Sequence, residues 1–383
     1  LKMNKENKSK IKNNETFERF NQKNDIFNRS LWDKSVRSKK TEKFYNDYTK
    51  PPESENRPEG YKHKDYAFRN ATWFMSDTFS NIHKNNGRAE GFTDEFKVQK
   101  PGTKSKYIFK SNKDLTDEIK IIAKKLGADL VGITKSNPKW IYSHKYRRAT
   151  DEVKPNKIDS SLNRVIVIAN EMDKDLIDTA PSALSGSATG LGYSNDLTTI
   201  LSLSQYIINL GYKAVPSQND TALSIPLAIE AGLGEYARNG LLITKKFGPR
   251  VRISKIFTDL PLECDKPISF GVKNYCSICN KCADSCPPRA ISFDKPSFKQ
   301  INKSNIKGIK KWSVDAEKCF KFWASQSTDC SICIRVCPYN KDFDKLIHKI
   351  GIKLANTPLR YILIKLDNFF GNRKKPSAWW ANK

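Results

Sequence analysis

Eight cysteines fall between positions 276 and 337 of this 383-residue chain, and the only other one is Cys264. The first run is Cys276-Ser-Ile-Cys279-Asn-Lys-Cys282-Ala-Asp-Ser-Cys286-Pro287. The second is Cys319, a gap of ten residues, then Cys330-Ser-Ile-Cys333-Ile-Arg-Val-Cys337-Pro338. Nine cysteines are too few for a disulfide scaffold of this length, and such clustering reads as metal binding. A C-x2-C pair lets one tight loop present two thiolates to one centre. Four-Cys zinc sites use the same pairs. Zinc, however, needs neither a third Cys at x2, present in the first run, nor a closing Cys-x3-Cys-Pro, present in both. The spacing therefore favours two [4Fe–4S] clusters.

In paired runs of this kind the fourth Cys of each run ligates the other cluster, because Cys-Pro turns the chain towards it. Cys276, Cys279, Cys282 and Cys337 are thus expected on one cluster, and Cys319, Cys330, Cys333 and Cys286 on the other. The gap in the second run inserts Phe320-Lys-Phe322-Trp323, read as an aromatic loop that could wall a channel. Cys264 stands outside both runs and reads as an ordinary buried thiol. Two adjacent clusters make an electron wire, and the remainder of the chain must supply its destination.

The elements that would position such a destination begin at Asp114. Leu115, Ile119, Ile122, Ala123 and Leu126 recur at helical spacing, with Gly127 as a stop. Asp129 to Thr134 and Val165 to Ala169 read as strands. A second helix is expected after Ser194-Asn195-Asp196, with Leu197, Ile200, Leu201, Ile207 and Leu210 on one face. A third covers about Ala222 to Ala231, and strands follow at Leu241 to Thr244 and Arg250 to Phe257. This alternation predicts an α/β domain. Residues 1–60 are rich in Lys, Asn and Glu but carry scattered aromatics, which suits an extended arm anchored on a core.

Composition narrows the partners. The net charge is +27 and the apolar fraction 38%, so an acidic redox protein, an anionic membrane surface and nucleic acid are all compatible. Lys- and Asn-rich codon usage would give the same excess. No stretch reaches the ~18 apolar residues of a membrane span, and Leu1 to Lys12 has no apolar core of a secretory signal. The chain starts at Leu1, so a clipped leader and export stay open; as it stands, the sequence reads as cytoplasmic.

The chain resembles the corrinoid-dependent reductive dehalogenases. The strongest blocks are Thr189-Gly-Leu-Gly-Tyr193-Ser-Asn, Leu210-Gly-Tyr-Lys-Ala-Val-Pro216, Ala231-Gly-Leu-Gly-Glu-Tyr-Ala-Arg-Asn-Gly-Leu-Leu-Ile243, Phe247-Gly-Pro-Arg-Val-Arg252 and Thr258-Asp-Leu-Pro-Leu262. The opening, Phe17-Glu-Arg-Phe20 to Trp32-Asp33, and the ending, Leu366-Asp367 to Gly371 with Trp379-Trp380, also look like that family. The resemblance implies an α/β (α+β) fold, a nitroreductase-like corrinoid-binding core with a two-cluster ferredoxin-like domain. The corresponding divisions are an arm over 1–110, a catalytic domain over 111–265, the cluster domain over 266–345 and a segment over 346–383 that packs back on the core.

The same resemblance implies that electrons pass through two [4Fe–4S] clusters to a cobalamin-type corrinoid, and that halogen is replaced by hydrogen in a small organohalide, the chemistry of anaerobic organohalide respiration. None of His63, His83, His144 and His348 lies in the Asp-x-His-x-x-Gly motif of His-ligating corrinoid proteins. Tyr193 matches the family's proton donor, Arg252 the cation expected to lower its pKa, and Asn219 a polar partner of the phenol. Gly232, Gly234, Asn239 and Gly240 are candidates for lining the corrinoid, and Trp323 and Trp73 for walling the substrate pocket. Asp196 stands where many members carry Met or a similar residue. The donor would be a ferredoxin, a flavodoxin or a membrane quinol system. Pro358 to Phe370 is expected to pack on the core, with a membrane surface as the second choice. The runner-up function is an epoxyqueuosine reductase acting on tRNA; a third reading is a corrinoid or iron–sulfur electron carrier without turnover.

Overall fold

The computed structural model describes residues 11, 13–53, 56–82, 96, 99–367 and 374–381. Three helices come first: α1 (Ile26–Trp32), α2 (Lys39–Thr49) and α3 (His63–Ile82). Then follow α4 (Asn112–Lys125), β1 (Leu130–Lys135), β2 (His144–Arg147), β3 (Glu152–Pro155), β4 (Arg164–Glu171), α5 (Lys174–Asp178) and α6 (Ala183–Asn209). After these come β5 (Ala214–Ser217), α7 (Ser224–Glu230), β6 (Gly234–Tyr236), β7 (Leu242–Thr244) and β8 (Val251–Thr258). The cysteine region holds α8 (Val272–Cys276), α9 (Lys281–Asp284), α10 (Ala316–Gln326) and α11 (Ile332–Arg335), and α12 (Leu346–Ala355), α13 (Arg360–Asp367) and α14 (Pro376–Ala381) close the chain.

The core is a four-stranded sheet of order β1-β4-β8-β5, and every pairing in it is antiparallel. The alternation of helices and strands is therefore α+β rather than a parallel α/β sheet. Side chains of a strand alternate between faces, and β4 is apolar on both. Val165, Val167 and Ala169 join Phe257 in a cluster with Leu227 and Ala228 of α7. Ile166 and Ile168 join Ile256 against Leu115 and Ile119 of α4 and Leu197 and Ile200 of α6. A sheet covered on both sides explains the unbroken run Val165 to Ala169.

Helix α6 begins about fourteen residues earlier than the sequence suggests. Ser182 caps it by accepting from the Ser185 amide, so Tyr193 lies inside the helix and not before it. The intervening Gly, Ser and Thr residues hide the helix because their intrinsic propensity is poor. Their use is close packing. A Cβ on Gly186 would stand 2.6 Å from Thr328 Oγ1, and one on Gly190 would stand 2.3 Å from Thr72 Oγ1 and 2.7 Å from Trp73 Cδ1. Gly186, Gly190 and Gly192 cost the helix about 1 kcal/mol each. Fully buried Leu197, Ile200, Leu203 and Ile207 return about 1.5–3 kcal/mol apiece, so tertiary burial outweighs propensity.

The arm over residues 13–50 is mostly helical and bridges the two halves. Phe17 meets Trp140 edge-on at 6.4 Å and Phe20 tilts onto Tyr142 at 5.9 Å. Phe27 and Phe44 meet Phe320 of α10 at 5.3 and 5.5 Å. Buried Arg29 ties them further, 2.8 Å from both Asp33 and Glu317. Phe320 and Trp323 thus lie on a helix that receives the arm, not on the expected open loop. Cys264 is exposed, correcting the expected buried thiol. The 358–370 segment departs from core packing: Leu363 and Ile364 touch the cysteine cluster, but Leu359, Tyr361, Ile362 and Leu366 are exposed, and Phe369 and Phe370 lie outside the described residues. The Trp379-Trp380 ending packs on Phe68, and Trp380 Nε1 donates to Asp65 at 2.7 Å. Among the described residues no helix is long and apolar enough to cross a membrane.

A methyl group at position 190 must push Trp73 and Thr72 away. Gly190→Ala is expected to lower stability by about 1–3 kcal/mol through overpacking, against the ~1 kcal/mol that Ala gains in helix propensity. Denaturant titration checks this, and a rise in the unfolding midpoint would refute the packing account.

Candidate active site and metal centre

Tyr193 is buried at 7% exposure on α6, and its phenol is gripped from two sides. Asn219 Nδ2 donates to Oη at 2.7 Å, and Arg252 Nη1 donates at 3.4 Å. Trp73 lies against the ring at 5.2 Å and 33°. Gly192 makes the Arg252 approach feasible, because a Cβ there would stand 2.4 Å from Arg252 Cγ. Arg252 is half-buried on β8, with Nε pointing at Met172 Sδ at 3.2 Å. Asn219 sits in a tight turn after β5. The Gln218 amide donates to Asp220 Oδ2 at 2.9 Å, and Thr221 is held at φ +66°. A β-branched residue is strained in that region. Its carbonyl is pinned by Asn156 Nδ2 at 2.9 Å and the Tyr142 amide at 3.0 Å.

The electrostatics of the phenol differ from expectation. Burial pushes its pKa above the usual value, and only then do the Arg252 charge and the Asn219 and Arg252 hydrogen bonds pull it back. Burial wins, so Tyr193 stays protonated at neutral pH. With two donors aimed at its oxygen, the hydroxyl proton is the part of the phenol that can be given away, and the anion left behind keeps both donors.

One turn further along α6, Asp196 is fully buried. Asn170 Nδ2 donates to its Oδ1 at 3.0 Å. Burial raises its carboxyl to about 8, against opposing pulls from Arg252, the Ser254 hydroxyl and Lys255. On β8 Lys255 is also fully buried, and its ammonium donates to the Gln218 carbonyl and to Ser224 Oγ.

The cysteines gather in two neighbouring sets, with Cys282 close to both. The thiols acting on Cys337 are Cys276, Cys282 and Cys279, and Cys276, Cys279 and Cys337 share one apolar cluster. Those acting on Cys333 are Cys330, Cys319, Cys282 and Cys286, so Cys286 of the first run faces the second. Burial pushes Cys276, Cys282 and Cys319 up to about 12; iron must therefore displace protons to bind. Arg238 wraps the first group, donating to the carbonyls of Cys276 (2.8 Å) and Cys279 (3.0 Å). Among the described residues no three Cys, His, Asp or Glu side chains could hold a single metal ion.

A run of contacts joins the second group to the phenol. Next to Cys330, Asp329 accepts from Tyr48 Oη at 2.6 Å. Tyr48 meets Trp73 edge-on at 5.5 Å, and Trp73 covers Tyr193. Arg69 lies over the Tyr48 ring at 3.9 Å. Sequence reasoning singled out Trp73 but missed Tyr48, Met172 and Asp329, which carry no motif.

Other candidates do not converge on Tyr193. Gly232, at φ +74°, turns the chain after α7 with its Cβ position 2.6 Å from the Lys266 carbonyl, and Gly234 faces the Ile243 carbonyl across β6–β7. The clearance at both glycines is taken up by neighbouring backbone. Gly240 (φ +79°) turns the β6–β7 hairpin against Val314, and Asn239 Nδ2 points to the Cys333 carbonyl at 3.4 Å. Trp323 packs on Phe27 at 5.8 Å and beside Cys319, rather than on the phenol.

Residues 275–341 match the model of the 4Fe-4S dicluster domain. A tetrachloroethene reductive dehalogenase of Desulfitobacterium hafniense is 37% identical over 302 residues, covering 69% of this chain and 55% of the relative. The chain thus spans just over half the length of that relative. A solved catabolic reductive dehalogenase shares the fold with a TM-score of 0.73 at 22% identity, covering 96% of this chain and 49% of that one. An epoxyqueuosine reductase of Leadbetterella byssophila is 25% identical over 266 residues, 60% of this chain and 80% of the relative. The α+β fold and the dicluster domain are therefore established.

Cys286→Ser should strip the second cluster. Iron analysis of anaerobically reconstituted protein should fall from about eight to about four per chain, whereas Cys264→Ser keeps the full content. Equal iron in both variants would overturn the grouping.

Proposed function

We propose that this protein is a reductive dehalogenase that replaces halogen by hydrogen in a small organohalide. The observation that carries the reading is the buried Tyr193 phenol, held between Asn219 and Arg252 and joined through Trp73 and Tyr48 to the residue beside Cys330. Breaking the carbon–halogen bond and forming carbon–hydrogen consumes two electrons and one proton and releases halide. The cysteine domain is the electron entry, with Cys276, Cys279, Cys282 and Cys337 holding one [4Fe–4S] cluster and Cys286, Cys319, Cys330 and Cys333 the other.

A corrinoid, when bound beside Tyr193, supplies the cobalt chemistry that cleaves the carbon–halogen bond. Among the described residues the histidines suit a corrinoid without a protein ligand: His63 is exposed, His144 engages Ser143 and His348 the Asp342 carbonyl. Tyr193 gives its proton to the developing carbanion, and Arg252 and Asn219 stabilise the phenolate. Trp73 excludes water from the ring face. Tetrachloroethene, the substrate named for the relative, is the first compound to test.

The setting that fits is organohalide respiration in an anaerobic cell, fed by a low-potential ferredoxin, a flavodoxin or a membrane quinol system. Exposed Leu346, Ile347, Ile350 and Ile362, rimmed by exposed Lys345, Lys349, Lys353 and Lys365, suit peripheral contact with the cytoplasmic face of an anionic membrane.

The test is reconstitution with iron, sulfide and a corrinoid, followed by halide release with reduced viologen. Tyr193→Phe keeps the ring against Trp73 and removes the proton, so release should fall by about 10²–10⁴-fold with an unchanged unfolding midpoint. Unaltered release would remove Tyr193 from the chemistry. Turnover of epoxyqueuosine in tRNA without halide release would replace the reading altogether.

A further inference from the structure

A buried carboxyl sits beside the phenol with no part in the chemistry described above. Asp196 is 0% exposed and lies three residues after Tyr193, on the neighbouring turn of α6. Its environment is polar, and among the described residues no cation lies within ion-pair distance of its carboxyl. From β4 comes the Asn170 amide, donating at 3.0 Å. Asn170 is the cross-strand partner of Arg252, so the side chain that holds Asp196 stands beside the cation that holds Tyr193. From β8 come Arg252, the Ser254 hydroxyl and Lys255. Helix α3 offers buried Thr72, Trp73 and Ser76 to α6, with Asp77 on its exposed side. From the turn after β5, Asp220 acts on Lys255. The ionisable groups around Asp196 are therefore Tyr193, Arg252 and Lys255, with Asp220 behind the last.

We propose that Asp196 is a positioning residue whose protonation state governs how strongly Arg252 favours the Tyr193 anion, and hence how readily Tyr193 gives up its proton. This deepens the dehalogenase reading and rests on it for the reaction served. While the carboxyl is neutral, the Arg252 charge acts on the phenol oxygen without opposition from Asp196; the other buried carboxyl that faces Arg252 is Asp329, which burial raises and which accepts from Tyr48. Once it ionises, a negative charge one turn away opposes Arg252 and makes the phenol a weaker acid. The direction agrees with the shifts: Asp196 is raised to about 8 by burial, and its charge pushes Tyr193 upward. Proton delivery is then at full strength below that range and declines as pH rises through it. Position 196 thus makes donation sensitive to pH in a range where an unperturbed phenol, at about 10, would not respond.

The test reads the phenol directly in cluster-loaded, full-length protein. With ζ-¹³C-labelled tyrosine, and Tyr193→Phe to assign the resonance, Tyr193 in the unsubstituted chain should show a small step at the pH where Asp196 ionises, followed infrared-wise by its carboxyl stretch. In Asp196→Asn the step should vanish and the Tyr193 midpoint should fall. In the halide-release assay, the alkaline limb of Asp196→Asn should move up by about one pH unit or more, a tenfold effect at fixed pH. A Tyr193 resonance without a step in the unsubstituted chain overturns the proposal even if Asp196→Asn does not fold. So does an unmoved midpoint in a folded Asp196→Asn. If no halide is released by any form, the dehalogenase reading fails, while the two tyrosine titrations still decide the coupling.

Discussion

The helix that carries Tyr193 runs so close to its neighbours that one methyl group at position 192 would lie 2.4 Å from Arg252 Cγ, and one at position 190 would lie 2.7 Å from Trp73 Cδ1. The rest of the site depends on that clearance. With α6 pressed onto β8, the Arg252 guanidinium reaches the phenol oxygen. With α6 pressed onto α3, the Trp73 indole covers the phenol ring. The helix accepts poor formers at these points and recovers the loss further along, where Leu197, Ile200, Leu203 and Ile207 are completely buried. The two halves of α6 therefore have different tasks: the first half approaches, the second half anchors.

The same helix couples the two halves of the molecule. At Gly186 it meets Thr328 and Arg69, two residues before Cys330 and one turn before Trp73. Arg69 reaches across to the carbonyls of Ser327 and Asp47 and lies over Tyr48. Arm, α3, α6 and the cysteine region thus meet at one buried guanidinium. A cation there would be costly without partners, and the carbonyls and aromatic faces provide them. This junction keeps the second cysteine group and the phenol on one framework, held together by packing rather than by a linker.

Much of the fold was legible where period and chemistry agreed. Helix α4, the strands β1, β4, β7 and β8, and α7 follow directly from apolar spacing. The presence of a dicluster domain follows from the paired cysteine runs, and the convergence of Tyr193, Asn219 and Arg252 was anticipated from a resemblance that no periodicity could have supplied. What escaped had physical reasons. The first turns of α6 are glycine- and serine-rich because they pack, and propensity reads that as loop. Helix α3 is aromatic on several sides, which blurs its period. Phe320 and Trp323 look like an insertion between ligands but form the seat of the arm. The sense of the Tyr193 shift was misjudged because a neighbouring cation is visible in sequence, whereas the degree of burial is not.

The proposed use of a phenol rather than a carboxyl as proton donor then has a local explanation. Tyr193 and Asp196 are both buried, so both are neutral at rest, and by ordinary acidity Asp196 would be the stronger acid. Acidity at rest is not the relevant quantity in a dry site; the stabilisation of the anion after transfer is. The Tyr193 oxygen has Asn219 Nδ2 and Arg252 Nη1 aimed at it, whereas the hydrogen-bond donor that reaches Asp196 Oδ1 is the neutral amide of Asn170. Arg252 cannot serve both oxygens equally, and the Gly192 clearance directs it to the phenol. On the proposed reading, placement of one guanidinium assigns donation to the residue with the weaker intrinsic acidity, and leaves the carboxyl to act through the field it exerts on that guanidinium.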